Sequence, residues 1–289
     1  MPTAFCPGHL TCFFQPAGPT DGNYAARGSR GAGIRISLGA TVTVSERSDR
    51  TVKVVIDGTE SSAPVTKEVL RLLLPERGLD VDVTDQIPCG QGFGLSAAGA
   101  VAAAFCASEM ADLNEDDAFR AAHRADIVGG GGLGDVAALQ CLADQPVRET
   151  PGLPPLGKVT GTGLIFRRLT LAVLGPKMNT GTVLGDSDRR SLIERVGKET
   201  VNAFLAAPTH EALFRLANQF SVLTMVESPA VADAVRRLRG QGIRAGMCML
   251  GNSIFADAGL DEVREVLAAD VPMWECRSTA SPAKLIRTE

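Results

Sequence analysis

Three glycines at alternate positions, Gly90, Gly92 and Gly94, lie within the run Pro88-Cys89-Gly90-Gln91-Gly92-Phe93-Gly94-Leu95-Ser96. Lacking a Cβ, the backbone there can turn tightly and bring its N–H groups up to an anion. A strand-like stretch, Leu79 to Val83, precedes the run. An alanine-rich stretch, Ser96 to Met110, follows it and predicts a closely packed helix. The helix dipole and the free N–H groups of its first turn add to the cradle, so strand, loop and helix together suit phosphate. Taken alone, the triplet also fits an ordinary strand-to-helix turn. A dinucleotide-binding turn is disfavoured. The loop does not follow the first strand, and no strand with an acidic end comes about 20 residues later. No Gly-Lys-Ser/Thr closes the segment, which excludes a Walker-type loop.

Two carboxylates lie downstream. Asp126 shares a helical face with Phe119, Ala122 and His123, which are spaced by three and four residues. Their segment, Glu115 to Val128, has Asn114 as a cap and acids in its first turn, and the glycines Gly129 to Gly132 end it. Asp135 then opens a third apolar segment, Val136 to Leu142, where an aspartate is also a good N-cap.

The elements around these residues form two blocks. The first has short β-rich runs at Thr3 to Cys6, Leu10 to Phe14, Ile34 to Leu38, Thr41 to Val44 and Val52 to Ile56, the last two reading as a hairpin. The spacing of Val65, Val69, Leu72 and Leu73 predicts an amphipathic helix over 64–74. The proline-dense stretch Pro146 to Pro155 suggests a boundary, with domains at 1–152 and 153–289. Beyond it we expect strands near 163–174, 243–250 and 273–278 and helices near 188–205, 208–226, 229–240 and 261–267, an α+β sandwich.

Composition narrows the function classes. With 45% hydrophobic and 21% charged residues, the chain reads as globular, and no apolar run approaches the ~20 residues of a membrane span. A net charge of −4 with scattered Lys and Arg, and only 4% aromatics, argues against nucleic acid. The seven cysteines show no paired zinc-type spacing and read as reduced thiols. The opening residues lack a secretory pattern, so the cytoplasm is the expected compartment. A homodimer is compatible with all of this.

The run Pro88-x-Gly-x-Gly-Phe93-Gly-Leu95-Ser96-Ala97-Ala98 resembles the second motif of the GHMP kinases, Pro-x-Gly-x-Gly-Leu-Gly-Ser-Ser-Ala-Ala. The resemblance implies an ATP-dependent small-molecule kinase whose loop, Pro88 and Gly90 to Ala97, holds ATP. It implies that Ser96 and Asp126 bind Mg2+, with Asp126 standing where family members usually carry Glu. Leu95 replaces the first serine of the motif. Gly132-Leu133-Gly134-Asp135 is similar to the Gly-x-x-Ser-Gly-x-Asp segment of mevalonate-kinase-like members, which implies that Asp135 accepts or orients the proton of the attacking hydroxyl. Pro7-Gly8-His9 is similar to the N-terminal Pro-Gly-Lys/Arg motif, with His9 in place of the permanent cation. Residues 245–253 replace the usual C-terminal glycine loop.

These departures resemble the archaeal pantoate kinase branch, through PGHLTCFF, Gly28 to Gly33, GFGLSAAGA, Ala121 to Asp126, GGLGDVAA and AGMCMLGNSIFA. That branch implies pantoate as substrate and coenzyme A synthesis as its setting. Pantoate needs a cation for its carboxylate, for which Arg30 and Arg148 are candidates, and polar partners for its hydroxyls, for which Ser29 and His123 are candidates. Mevalonate and homoserine are the other acceptors weighed. Homoserine kinases work without the catalytic aspartate, so Asp135 counts against that one. A non-catalytic nucleotide-binding homologue is the alternative of a different class. For architecture the resemblance implies an α+β fold, with an N-terminal domain like the second domain of ribosomal protein S5 and a C-terminal ferredoxin-like domain.

Overall fold

The computed structural model describes residues 1–18, 22–130, 132–178 and 185–287. Two long strands, β1 (Thr3–Ala17) and β2 (Gly28–Glu46), pair antiparallel along almost their whole length. The two runs expected at 3–6 and 10–14 are thus one strand. The chain passes through Pro7-Gly8 with only a register shift. A second shift leaves Cys12 as an extra residue between the pairs Thr11↔Gly33 and Phe13↔Ala32. Such a bulge resets the alternation of side chains, so Thr11 and Phe14, three residues apart, both reach the same cleft.

β5 (Leu79–Asp85) lies between β2 and β3 (Val52–Ile56), antiparallel to the first and parallel to the second, and β4 (Thr59–Ser61) closes that edge. The expected hairpin between Thr41–Val44 and Val52–Ile56 is therefore not formed. Burial gives the reason: Leu79, Val81 and Val83 are all buried, whereas β3 buries only Val54, so β5 takes the inner position. The proline-dense stretch also differs from expectation. Its start is β6 (Pro146–Thr150), which pairs with β2 and with β7 (Lys158–Gly161), so the boundary expected at 152/153 falls inside a turn of the first sheet. A strand unforeseen in the sequence, β12 (Lys284–Ile286), adds to the outer edge of β1.

Helices α2 (Leu95–Ala111) and α4 (Asp135–Gln140) lie on this sheet, and α1 (Pro64–Leu73) and α3 (Glu115–Val128) pack outside them against α2. The small side chains of α2 are buried on nearly every side, which lets it sit between the β1–β2 ribbon and its helical neighbours. Asn114 caps α3 as expected, its side chain accepting from Asp117 N at 2.9 Å.

The second sheet is antiparallel, in the order β11 (Met273–Cys276), β8 (Leu169–Val173), β10 (Ser253–Ala256), β9 (Ala245–Met247). The strand expected over 243–250 ends at Met247, because the chain turns back through 248–252 into β10. With it go α5 (Ser187–Ala206), α6 (His210–Leu223), α7 (Pro229–Gly240) and α8 (Leu260–Arg264). Helix α5 lies directly on β1. A Cβ at its Gly197 would collide with the Phe14 carbonyl. Ring contacts Phe13–Phe204 at 5.5 Å and Phe14–Phe220 at 5.6 Å join β1 to α5 and α6. The fold is α+β, and among the described residues no helix is long and apolar enough to cross a membrane.

Candidate active site

The glycine loop forms as its sequence suggests, with Gly90, Gly92 and Gly94 at φ of 80, 77 and 68°. It is clasped from both sides. On one side His9 N donates to Phe93 O at 3.1 Å, and a Cβ on Gly94 would lie 2.6 Å from His9 O. On the other, a Cβ on Gly92 would lie 2.8 Å from the Cys248 and Met249 carbonyls, and Ser253 Oγ donates to Gln91 O. The buried Phe93 ring anchors the loop from below. Helix α2 then starts at Leu95, so the N–H groups of Leu95, Ser96 and Ala97 have no partner within the helix. They face a cleft lined by Gly90, Gly92 to Ala97, Asp126 and Asp135.

Not every expected loop residue lines that cleft. Pro88 faces a separate depression beside Lys177. Gln91 turns away, its amide donating to Gly175 O at 3.0 Å, and so braces the loop from behind.

Asp126 is 1% exposed, and its Oδ1 accepts a hydrogen bond from Gly132 N at 2.8 Å. Burial, then repulsion from Asp135, push its carboxyl up to about 7. Asp135 is the first residue of α4, and Gly134 stands at the cap position, so it is not the N-cap the sequence allowed. Its Oδ1 instead takes hydrogen bonds from His9 Nδ1 at 2.7 Å and Thr11 Oγ1 at 3.2 Å. Burial works to raise this carboxyl. The His9 hydrogen bond, the nearby Arg148 charge and the Thr11 hydroxyl outweigh it and hold the group below its ordinary value. The remaining oxygens of the two acids converge: from the place a Gly132 Cβ would occupy, Asp135 Oδ2 is 3.0 Å away and Asp126 Oδ2 3.1 Å. Gly131, part of the glycine run noted above, lies outside the described residues.

Of the two candidate arginines, the structure brings only Arg148 to the cleft. Arg148 is 1% exposed, and its Nε and Nη1 have no hydrogen-bond partner among the described residues. Burial draws its guanidinium below the ordinary value, against the pull of Asp135. Gly31 and Gly134 leave room for the guanidinium, since a Cβ on Gly31 would lie 2.7 Å from Nη2 and one on Gly134 would lie 2.5 Å from Nε. Arg30 belongs to β2, and alternation turns it to the face opposite Ser29. There Glu149 O, Gln15 and Asn202 accept from it at 2.7, 3.0 and 2.9 Å. Ser29, one residue earlier, is buried and lines the cleft.

His123 shares the expected helix face but does not reach the cleft. Its Nε2 lies 3.1 Å from Tyr24 O and 3.0 Å from Arg27 O, tying down the short turn at Tyr24–Ala26. Burial lowers its pKa, against those two carbonyls. Thr11, Phe14, Met178, Met249 and Leu250 complete the lining. The sequence signal for Thr11 was present, because it stands two residues after His9 in a strand and so shares its face. Phe14 was hidden by the bulge.

The cleft thus combines an anion cradle, two converging carboxylate oxygens and a buried guanidinium with free donors, a set suited to moving a phosphoryl group onto an anionic alcohol. The GHMP kinases N terminal domain pattern matches residues 64–141, which hold the loop and both aspartates. A pantoate kinase from Thermococcus kodakarensis is 30% identical over 92% of this chain and 91% of its own. One from Methanospirillum hungatei is 27% identical over 88% and 86%. A solved structure described as a phosphotransferase related to the CoA biosynthesis pathway superposes with a TM-score of 0.87 at 27% identity, covering 99% of this chain and 98% of the other. By this likeness along nearly its whole length, the chain belongs to the pantoate kinases of the GHMP kinase superfamily.

Proposed function

We propose that the chain transfers the terminal phosphoryl group of ATP to the primary hydroxyl of pantoate, giving 4-phosphopantoate for coenzyme A synthesis. The observation that carries this reading is Arg148, a fully buried cation with two unpartnered donors in the same cleft as the phosphate cradle and Asp135. Leaving such donors unpaired is costly, and hydrogen bonds to an anionic acceptor such as a carboxylate relieve that cost. The names of the matched relatives support the same acceptor.

The free amides at Leu95 to Ala97 and the glycine loop hold the β- and γ-phosphates. Ser29 and Thr11 offer hydroxyls to the acceptor, and Phe14, Leu133 and Met249 supply an apolar wall for its gem-dimethyl carbon. Asp135 Oδ2 accepts the hydrogen bond of the attacking hydroxyl and takes its proton as the oxygen bonds to the γ-phosphorus and the bond from that phosphorus to the leaving ADP oxygen breaks. A carboxylate this acidic orients more than it deprotonates, so positioning supplies most of the rate. Ser96 and Asp126 would hold Mg2+. Asp126 is buried, its Oδ2 converges with that of Asp135, and the second carboxylate repels it, a donor set that fits a hard cation bringing phosphate and water oxygens of its own. Mg2+ there would neutralise charge gathered on the phosphate oxygens.

The test is ADP release with pantoate, mevalonate and homoserine side by side. We expect turnover with pantoate alone. A preference for either of the others overturns the acceptor, and ATP binding without turnover on any of the three overturns the catalytic reading.

A further inference from the structure

We propose that His9 is the positioning residue for Asp135: a neutral imidazole that donates from Nδ1 to Oδ1, so that Oδ2 alone is left to meet the acceptor hydroxyl. This rests on the reading of Asp135 given above and adds a residue to it.

The geometry carries the inference. His9 is completely buried in β1, and its only side-chain hydrogen bond among the described residues is the 2.7 Å contact to Asp135, a residue 126 positions away. An ionised carboxylate is acceptor-only, so Nδ1 carries the proton. Nε2 is buried and has no partner among the described residues. A proton there would make an imidazolium with an unsatisfied N–H in a dry site; burial opposes this, the hydrogen bond and charge of Asp135 favour it, and the charges of Arg148 and Arg35 add to the opposition, so the balance lowers the His9 pKa. The ring therefore holds one proton, at Nδ1, and works as an oriented dipole and not as a cation. Where the N-terminal motif of related kinases carries Lys or Arg, this chain has a donor of fixed direction and no net charge.

The surrounding backbone is shaped to that ring. A Cβ at Gly33, which pairs with Thr11 across the ribbon, would collide with His9 Nε2 and with the Leu10 carbonyl, so only glycine leaves the imidazole its place. His9 N also holds Phe93 O at 3.1 Å. One residue thus ties the position of the phosphate loop to the orientation of the acid opposite it. Thr11, on the same strand face, donates to the same Oδ1. Both donors on one oxygen fix the carboxylate plane and direct Oδ2 toward Gly132 and Asp126.

The test compares His9→Asn, His9→Gln and Asp135→Asn, alone and combined. Asparagine can place an N–H close to where Nδ1 lies, whereas the amide of glutamine reaches instead toward the position of Nε2. We expect H9N to keep kcat within roughly 5-fold of the parent and H9Q to lose roughly 10²-fold, with KM for ATP and pantoate nearly unchanged in both. We expect H9Q/D135N to be no slower than D135N, because both changes remove one function. Equal losses in H9N and H9Q, or losses that multiply in the double variant, would show that His9 acts by packing and overturn the proposal. A D135N enzyme as fast as the parent would instead overturn the role of Asp135 itself. Thermal melts of each variant accompany the kinetics, and a kcat loss in H9Q that tracks a fall in Tm counts against positioning.

Discussion

Asp126 and Asp135 approach the same point from different helices, their Oδ2 atoms 3.1 and 3.0 Å from where a Cβ of Gly132 would stand. Two carboxylate oxygens so placed repel each other, and only a residue without a side chain fits between them. The arrangement costs stability and is explained by what it can bind.

Gly132→Ala should therefore be an activity variant. The added carbon would move both carboxylates by a few tenths of an ångström, and we expect kcat to fall roughly 10-fold or more with Tm nearly constant. Steady-state rates alongside a thermal melt check this, and an unchanged kcat would mean that the two oxygens do not act together.

The buried Asp126 gives stability a pH dependence of known sign. Its carboxyl rises from 3.8 to about 7 on folding, so between those values the folded chain holds a proton that the unfolded chain has released. Stability from this group is thus unaffected below about pH 4, falls as pH rises toward 7 and then levels off, a loss on the order of a few kcal/mol. Asp126→Asn should remove that slope, giving a ligand-free protein more stable than the parent at pH 8 and nearly inactive. Denaturant melts of both proteins from pH 4 to 8 measure the difference, and parallel curves would contradict it.

Arg148 keeps two donors, Nε and Nη1, without partners among the described residues, so its removal should separate binding from stability. Arg148→Met is expected to raise KM for pantoate roughly 10- to 100-fold, leave KM for ATP nearly unchanged and not lower Tm. A rise in the ATP constant instead would place Arg148 on the phosphates.

Gly197→Ala inverts the usual rule for helices, where alanine is favoured by about 1 kcal/mol. In the interior of α5 the new methyl would meet the Phe14 carbonyl of β1, so we expect a loss of roughly 1–3 kcal/mol in urea unfolding.

The loop with Ser96, Asp126 and Asp135 was legible in the sequence because each belongs to a local pattern in which glycines, helix period and caps are read within a few residues. Arg30 and Arg148 were not separable, since the choice depends on a pairing, Gly31 opposite Arg148, that joins segments over a hundred residues apart. His123 occupies the right helical face, yet its ring is claimed by the Tyr24 and Arg27 carbonyls, which helical periodicity does not reveal. The hairpin expected after Val44 failed for a similar reason: strand order follows which run is most buried, and β5 outranks β3 only once the helices are in place. The reach from His9 to Asp135 is likewise a product of tertiary structure.

The glycine loop rests on His9 from one block of the chain and on Cys248, Met249 and Ser253 from the other. Every residue of its motif lies before position 100, but its shape is completed some 150 residues later. A fragment ending near residue 152 would carry the whole nucleotide signature and still lack half of the mould in which the loop is cast. For this chain, then, the smallest unit able to grip a phosphate is longer than the smallest unit that spells out how.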